Sequence, residues 1–174
     1  MFVNFSSQVS LKLLRNLSLP GNRIPGWFSQ GPVTFSVQLN REIRGVIFAV
    51  VVAVNHEIKD NYQMPDVVEI QVQILELDLA IYTTTLHLSG VPGTSNDQLH
   101  ICRYPASHQM VRALKDGFTI QVIKREKPLK QGVELKMSGI HLIYEGDDDI
   151  SGDEDFLTDT QQTVSQKLTN FFSS

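Results

Sequence analysis

Apolar residues recur with a period of two along most of this chain, which predicts extended strands rather than helices. Val33, Phe35, Val37 and Leu39 alternate with Thr34, Ser36 and Gln38. Within 67–77, Val68, Ile70, Val72 and Ile74 alternate with Glu69, Gln71 and Gln73. The stretch 79–88 follows closely and carries Thr83, Thr84 and Thr85, whose branched side chains favour an extended backbone. From Leu99 to Tyr104 the alternation turns either Leu99, Ile101 and Arg103 inward or His100 and Cys102. Phe118 to Ile123 alternates cleanly, and Val133 to Tyr144 does so with a phase shift at Ser138–Gly139 that predicts a bulge. Val46 to Val54 departs from the pattern, being apolar on both faces, as a central strand covered from two sides would be. A shorter segment, 13–19, opens the series, and His108 to Gly117 reads either as one or two helical turns or as an irregular crossover. Short strands separated by turns and almost no helix describe an all-β chain, an antiparallel sandwich or barrel of about eight strands.

One segment is neither strand nor helix. In Leu19-Pro20-Gly21-Asn22-Arg23-Ile24-Pro25-Gly26-Trp27-Phe28, two prolines fix φ and two glycines admit positive φ, so the backbone must bend. The bend carries Ile24, Trp27 (the only tryptophan) and Phe28, and apolar side chains so clustered must be tucked under a sheet or offered to a partner. The expected role is a plug closing one end of the sandwich.

After Glu145 the composition changes. Residues 147–174 hold Asp147, Asp148, Asp149, Asp153, Glu154, Asp155 and Asp159 against one base, Lys167. The whole chain has a net charge of -4, so the body is close to neutral and the acidic tail sets the balance. A nearly neutral body argues against nucleic acid as a partner. The expected division is a lead-in over 1–12, the sandwich over 13–146, and an acidic linker over 147–174. Within that last stretch Thr158 or Asp159 can cap a peripheral terminal helix, 160–172, that aligns Val164, Leu168 and Phe171 or Phe172. The longest apolar run, Val46 to Val54, is far shorter than the ~20 residues that cross a bilayer, so no membrane partner is expected. A single cysteine, Cys102, excludes an internal disulfide framework and suits an intracellular setting.

Residues able to do chemistry are scattered. The chain has no glycine-rich phosphate loop, no Gly-x-Ser-x-Gly elbow and no His-Glu-x-x-His pair. His100 and Cys102 share one strand face, but no second cysteine or nearby histidine completes a metal set. Glu69, Glu76 and Asp78 read as a wet face rather than paired catalytic carboxylates, and His141 as a solvent-facing strand residue. The reading is of a non-enzyme without metal or cofactor.

The bend Leu19-Pro20-Gly21-x-x-Ile24-Pro25-x-Trp27-Phe28 resembles the opening motif of the C-terminal jelly-roll/Ig-like domain (C-JID) that follows the leucine-rich repeats of plant TIR-type NLR disease-resistance receptors. Other blocks match in the same order. Phe35 to Leu39 resembles the strand after the motif, Ile43 to Val51 the apolar central strand after a glycine, and Asp97 to Ile101 a later strand. Gly132 to Glu145, with Gly139, Leu142 and Tyr144, is similar to the closing strand. Ser138 stands where the family often has cysteine, and Asn40-Arg41-Glu42 where it often has Trp-Cys.

The resemblance implies a jelly-roll/Ig-like β-sandwich that performs no catalysis. It also implies partners: a pathogen effector protein, and the leucine-rich repeats of the same receptor, in the cytoplasm or nucleus. Specificity would reside in the connecting loops. These are 55–65 with Asn55, His56, Lys59 and Tyr62; 89–97 with Val91 and Asn96; 104–116 with Tyr104, His108 and Arg112; and the basic tip 124–131 with Lys124, Arg125, Lys127 and Lys130. Three other readings compete. A carbohydrate-binding module would need a strip of exposed aromatics among Tyr62, Tyr82, Tyr104 and Tyr144. A cupin-type enzyme would need a histidine pair. A structural cap would only seal the last repeat.

Overall fold

A computed structural model of the chain describes residues 16–54, 70–86, 97–124, 133–146 and 164–173. The elements in order are β1 (Asn16–Pro20), β2 (Val33–Thr34), β3 (Ile43–Val54), β4 (Ile70–Glu76), β5 (Leu79–Thr85), β6 (Gln98–Pro105), α1 (Gln109–Arg112), β7 (Thr119–Lys124), β8 (Val133–Tyr144) and α2 (Val164–Ser173). The strands form two four-stranded sheets, β1-β6-β3-β8 and β2-β7-β4-β5, with every pairing antiparallel. The fold is an all-β sandwich.

The topology is a jelly roll with one strand moved. A jelly roll wraps a long hairpin so that its second and seventh, third and sixth, and fourth and fifth strands pair, with the first beside the last. Here β2–β7, β3–β6 and β4–β5 pair, but β1 lies beside β6, at the opposite edge of its sheet from β8. The place next to β8 is taken by a single residue, Ser29, which exchanges two backbone hydrogen bonds of 2.9 Å with Ile140. Residues 20–29 therefore leave β1 at one edge of the sheet, with Gly21 N–H donating to the Asp97 carbonyl at 3.0 Å, and reach the far edge at Ser29.

β3 explains why something must cross that face. Val46 to Val52 are all 0% exposed. The even-numbered side chains Val46, Phe48, Val50 and Val52 meet Ile70, Val72, Ile74, Ile120 and Ile140 between the sheets. The odd-numbered Ile47, Ala49 and Val51 join Leu99, Ile101 and Ile143 on the outer face, with Ile24, Phe28 and Leu168 over them. The two-sided strand read from the sequence thus has two cores, one between the layers and one outside them. The two-sided burial of β6 resolves the alternation that the sequence left open. Cys102 points between the sheets while Leu99 and Ile101 point out.

Several expectations need correction. The strand at 33–39 stops at Thr34; Phe35 is buried, but Val37 is 60% and Leu39 100% exposed. The Val37 N–H is bonded to Asp116 Oδ1 (2.9 Å) rather than to a strand, and Gln38 and Arg41 close a turn. The bulge expected at Ser138–Gly139 is displaced to Lys136, which stands between the partners of Val51 and Val52, and Ser138 and Gly139 pair in register with Val50 and Ala49. The end of the sandwich is closed by α1, through Met110 and Val111, and by the residues after it, through Leu114 and Phe118, and not by the Pro/Gly bend. The terminal helix begins at Val164 among the described residues, and Leu168 is 0% exposed, so α2 is part of the packed structure rather than peripheral. The lead-in 1–12, the residues Val67–Glu69, and the acidic stretch 147–163 lie outside the described residues.

Candidate functional site

The bend is a strap laid across the outer face of the first sheet, and the side chains beneath it shrink from β6 to β8. Ile101, Ala49 and Gly139 stand side by side in register on β6, β3 and β8. A Cβ on Gly139 would lie 2.7 Å from Ile24 Cδ1 and 2.8 Å from Phe28 Cβ, so only glycine allows the strap to seat. Ile24 and Phe28 are 6% and 4% exposed. Trp27 is half-buried and lies against Phe28 (ring centroids 4.5 Å apart) and edge-on to His141 at 4.7 Å. His141 is two residues beyond Gly139 on the same strand face; it meets these rings rather than open solvent. Of the three apolar residues on the bend, Ile24 and Phe28 are the most deeply buried and Trp27 the least.

α2 completes the cover. Leu168 enters the cluster formed by Ile24, Phe28, Ile47, Ala49, Val51, Leu99, Ile101 and Ile143, with Phe171 and Phe172 partly buried at its side. Lys167 Nζ stands 5.5 Å from the centroid of Trp27, in cation–π range. The outer face thus carries a strap and a helix side by side, joined through Trp27.

The remaining motif residues have structural tasks. Leu142 packs toward the inter-sheet core. Tyr144 donates its hydroxyl to the Ser36 carbonyl (3.3 Å), and Arg41 lies over its ring at 5.6 Å while its Nε donates to the Glu145 carbonyl (2.9 Å). Pro20 ends β1, and Leu19 pairs with Leu99.

The chemically capable groups are deactivated by burial. Cys102 is 2% exposed, and burial pushes its thiol up to about 12, so it stays protonated and a poor nucleophile. His100 is 3% exposed with no partner for Nε2, and burial lowers it to about 4. Tyr104 is raised to about 12, first by burial and then by Cys102 and Tyr82 nearby. Among the described residues no three His, Cys, Asp or Glu side chains are grouped to hold a metal ion. Among the described residues no helix is long and apolar enough to cross a membrane. Glu76 and Asp78 are exposed at the β4–β5 turn.

Of the loop residues named from the sequence, Asn55, His56, Lys59, Tyr62, Val91, Asn96, Arg125, Lys127 and Lys130 lie outside the described residues. Their anchors are described. Val54 pairs with Val133, Ile70 with Lys124, Val52 with Gln98, and the Leu86 N–H donates to the Ile70 carbonyl at 2.8 Å. The described residues that flank 55–69, 87–96 and 125–132 therefore lie together at one end of the sandwich. The fourth segment belongs to the other end, because Tyr104 pairs with Val46 near the start of β3. There His108 Nδ1 accepts from the Met110 N–H (3.1 Å) as the cap of α1 and its ring lies edge-on to Tyr104, while Arg112 is exposed in the last turn. Tyr82, Tyr104 and Tyr144 are each packed against the inter-sheet core and form no exposed aromatic strip.

A scan against models of known protein families finds no match for this chain, and a search of curated proteins finds none either.

Proposed function

We propose that this chain is a non-catalytic recognition module of the C-JID kind, a part of a plant TIR-type NLR immune receptor. In that role it contacts a pathogen effector protein and seals the last of the receptor's leucine-rich repeats. The observation that carries this reading is that the described residues flanking 55–69, 87–96 and 125–132, namely Val54, Ile70, Leu86, Gln98, Lys124 and Val133, lie together at one end of the sandwich. A scaffold whose strands fix several variable loops side by side is a common way to build a protein-binding surface. Burial of Cys102 and His100, with Tyr104 partly buried beside them, supports contact rather than turnover, since these are the groups best suited to nucleophilic or proton-transfer chemistry.

The order of the motifs supports the family reading. Leu19-Pro20 end β1 and lead at Gly21 into the strap that carries Ile24-Pro25 and Trp27-Phe28, and Gly139 is the residue that admits it. Two blocks more than a hundred residues apart in the chain thus meet as lock and seat, which gives a physical reason for both to occur in one module.

The test is a loop exchange. Each of 55–65, 89–97 and 124–131 is replaced by a Gly/Ser linker of equal length, and binding to a panel of candidate effectors is measured. Exchanges at the shared end should abolish or re-rank binding, and an exchange of the exposed residues around Arg112 should leave it within about threefold. Unchanged effector binding after all the exchanges overturns the proposal.

A further inference from the structure

We propose that the outer margin of β5 pairs with the β5 of a second copy of this chain, antiparallel about a two-fold axis at Thr83. The two sheets have four margins, β1 and β8 in one and β2 and β5 in the other. Three of them carry devices that keep a foreign strand away. β1 has five residues and ends on Pro20, which has no N–H to donate. β2 has only two residues. β8 carries Glu134 and Lys136, and the middle of its margin is taken by Ser29. β5 has a single bulge near its start and is otherwise unguarded: Leu-Ala-Ile-Tyr-Thr-Thr-Thr is seven residues without a charge, a proline or a glycine. It is bonded to β4 on one side, and among the described residues no strand lies on the other. Leu79 is 70% and Ile81 43% exposed.

The residues of β5 suit its own image. Every second residue of a margin strand turns its N–H and C=O outward, so the occupant must be an extended strand. Ile81 is the bulged residue, standing between the partners of Ile74 and Leu75, and Tyr82 to Thr85 keep regular register with Gln71 to Ile74. A two-fold axis perpendicular to the sheet makes one residue face itself, and an axis at Thr83 holds the pairing within 81–85, on the regular side of the bulge. Thr83 then meets Thr83, Ile81 meets Thr85, and Tyr82 meets Thr84. Each pair shares a face and is of a favourable kind: two threonines, isoleucine on a threonine methyl, and an aromatic ring on a branched side chain. No charged residue stands in 81–85, so two identical strands approach without repulsion. The contact is isologous and closes as a dimer, in which β2-β7-β4-β5 continues into its own image as one sheet.

Sedimentation of the full chain over a wide range of concentration is the test, with variants at exposed positions. The wild-type chain should show a reversible monomer–dimer equilibrium. Thr83→Lys places two like charges on the axis and should weaken the dimer by at least about tenfold, because lysine on a margin strand repels a like neighbour. Leu39→Lys, at a fully exposed position outside β5, should leave the equilibrium unchanged. Register is read from Thr83→Cys: with oxidised glutathione it should form a disulfide between copies, whereas Leu39→Cys should not, and buried Cys102 stays out of the reaction in both. Should Thr83→Lys fail to fold, amide exchange of the wild-type chain decides, with the amides of 81–85 slowing as concentration rises; exchange there that ignores concentration overturns the pairing. A dimer that Thr83→Lys leaves intact, or that gives no more disulfide through Thr83→Cys than through Leu39→Cys, overturns β5 as the contact. A strictly monomeric wild-type chain overturns the second copy as occupant and leaves the margin to a strand of another protein.

Discussion

Adding one methyl group at Gly139 should dislodge the strap. The new Cβ would stand 2.7 Å from Ile24 Cδ1 and 2.8 Å from Phe28 Cβ. Ile24 can swing its terminal methyl aside. The Cβ of Phe28 is one bond from the backbone and moves only if the strap moves, and the next residue, Ser29, is tied to Ile140 by two bonds of 2.9 Å. Overpacking of this kind costs about 1–3 kcal/mol. Straining the Ser29 pair adds about 1 kcal/mol for each bond lost. Alanine is favoured over glycine within a strand by roughly 0.5–1 kcal/mol, which offsets part of this. The net for Gly139→Ala is about 2–4 kcal/mol of destabilisation, or a fall in Tm of roughly 5–15 °C for a chain of this size. Circular dichroism gives the global transition, and Trp27 emission reports the strap itself. Ile24→Val removes the nearer clashing atom. It should cost about 0.5–1.5 kcal/mol alone and less, or nothing, beside Gly139→Ala. A Gly139→Ala protein that melts within a degree of the parent would refute the seating of the strap.

Other outcomes follow from the same packing. Phe28→Ala should destabilise by about 3–5 kcal/mol, whereas Trp27→Ala, which empties a half-buried position, should cost about 1–2 kcal/mol; denaturant melts of the two variants decide the order. Stability should fall in acid, because His100 is held near 4 when folded against 6.5 when exposed, so the unfolded chain binds the extra proton between those values. That loss begins below about pH 6.5, reaches roughly 3 kcal/mol near pH 4, and should shrink in His100→Gln, as urea melts across that range would show. At the β4–β5 turn, Leu77 and Asp78 have φ of 47° and 66°, a conformation that favours Asn-Gly. Leu77→Asn with Asp78→Gly should raise stability by about 1–2 kcal/mol, read as a higher Tm.

The fold was legible wherever a strand buries one face or both. Period-two patterns marked β4, β7 and β8, and the uniform run Val46 to Val54 marked β3 as covered twice. The pattern failed at Val37 and Leu39, whose alternation continues past the last strand hydrogen bond into an exposed turn. It also misassigned Gly139. A glycine in a strand signals a bulge or a close approach of other chain, and periodicity alone cannot choose between them. The bend was recognisable from its prolines and glycines, but its destination was not, because Ile24 and Phe28 meet partners more than a hundred residues away. The helical stripe Leu168, Phe171 and Phe172 was visible as well. That it covers the outer sheet face follows only once Ile47, Ala49 and Val51 are known to point there. Most of the candidate loop residues were named by position, and what the structure adds is where their anchors lie.

The neighbours of β3 have a further consequence, for synthesis on the ribosome. Both of its partners, β6 and β8, are encoded downstream of it. The most water-averse stretch of the chain therefore emerges before either strand that will shield it. About eighty residues separate its end from the start of β8, and at translation rates of about 5–20 residues per second the wait is on the order of 4–16 s. Until β6 follows, about forty residues on, a long valine-rich ribbon has both margins free to stick to a sister nascent chain, and one margin stays free until β8 is made. Slowing elongation between codons 55 and 133 should lower the soluble yield, and holdase chaperones that grip extended apolar peptides should restore it.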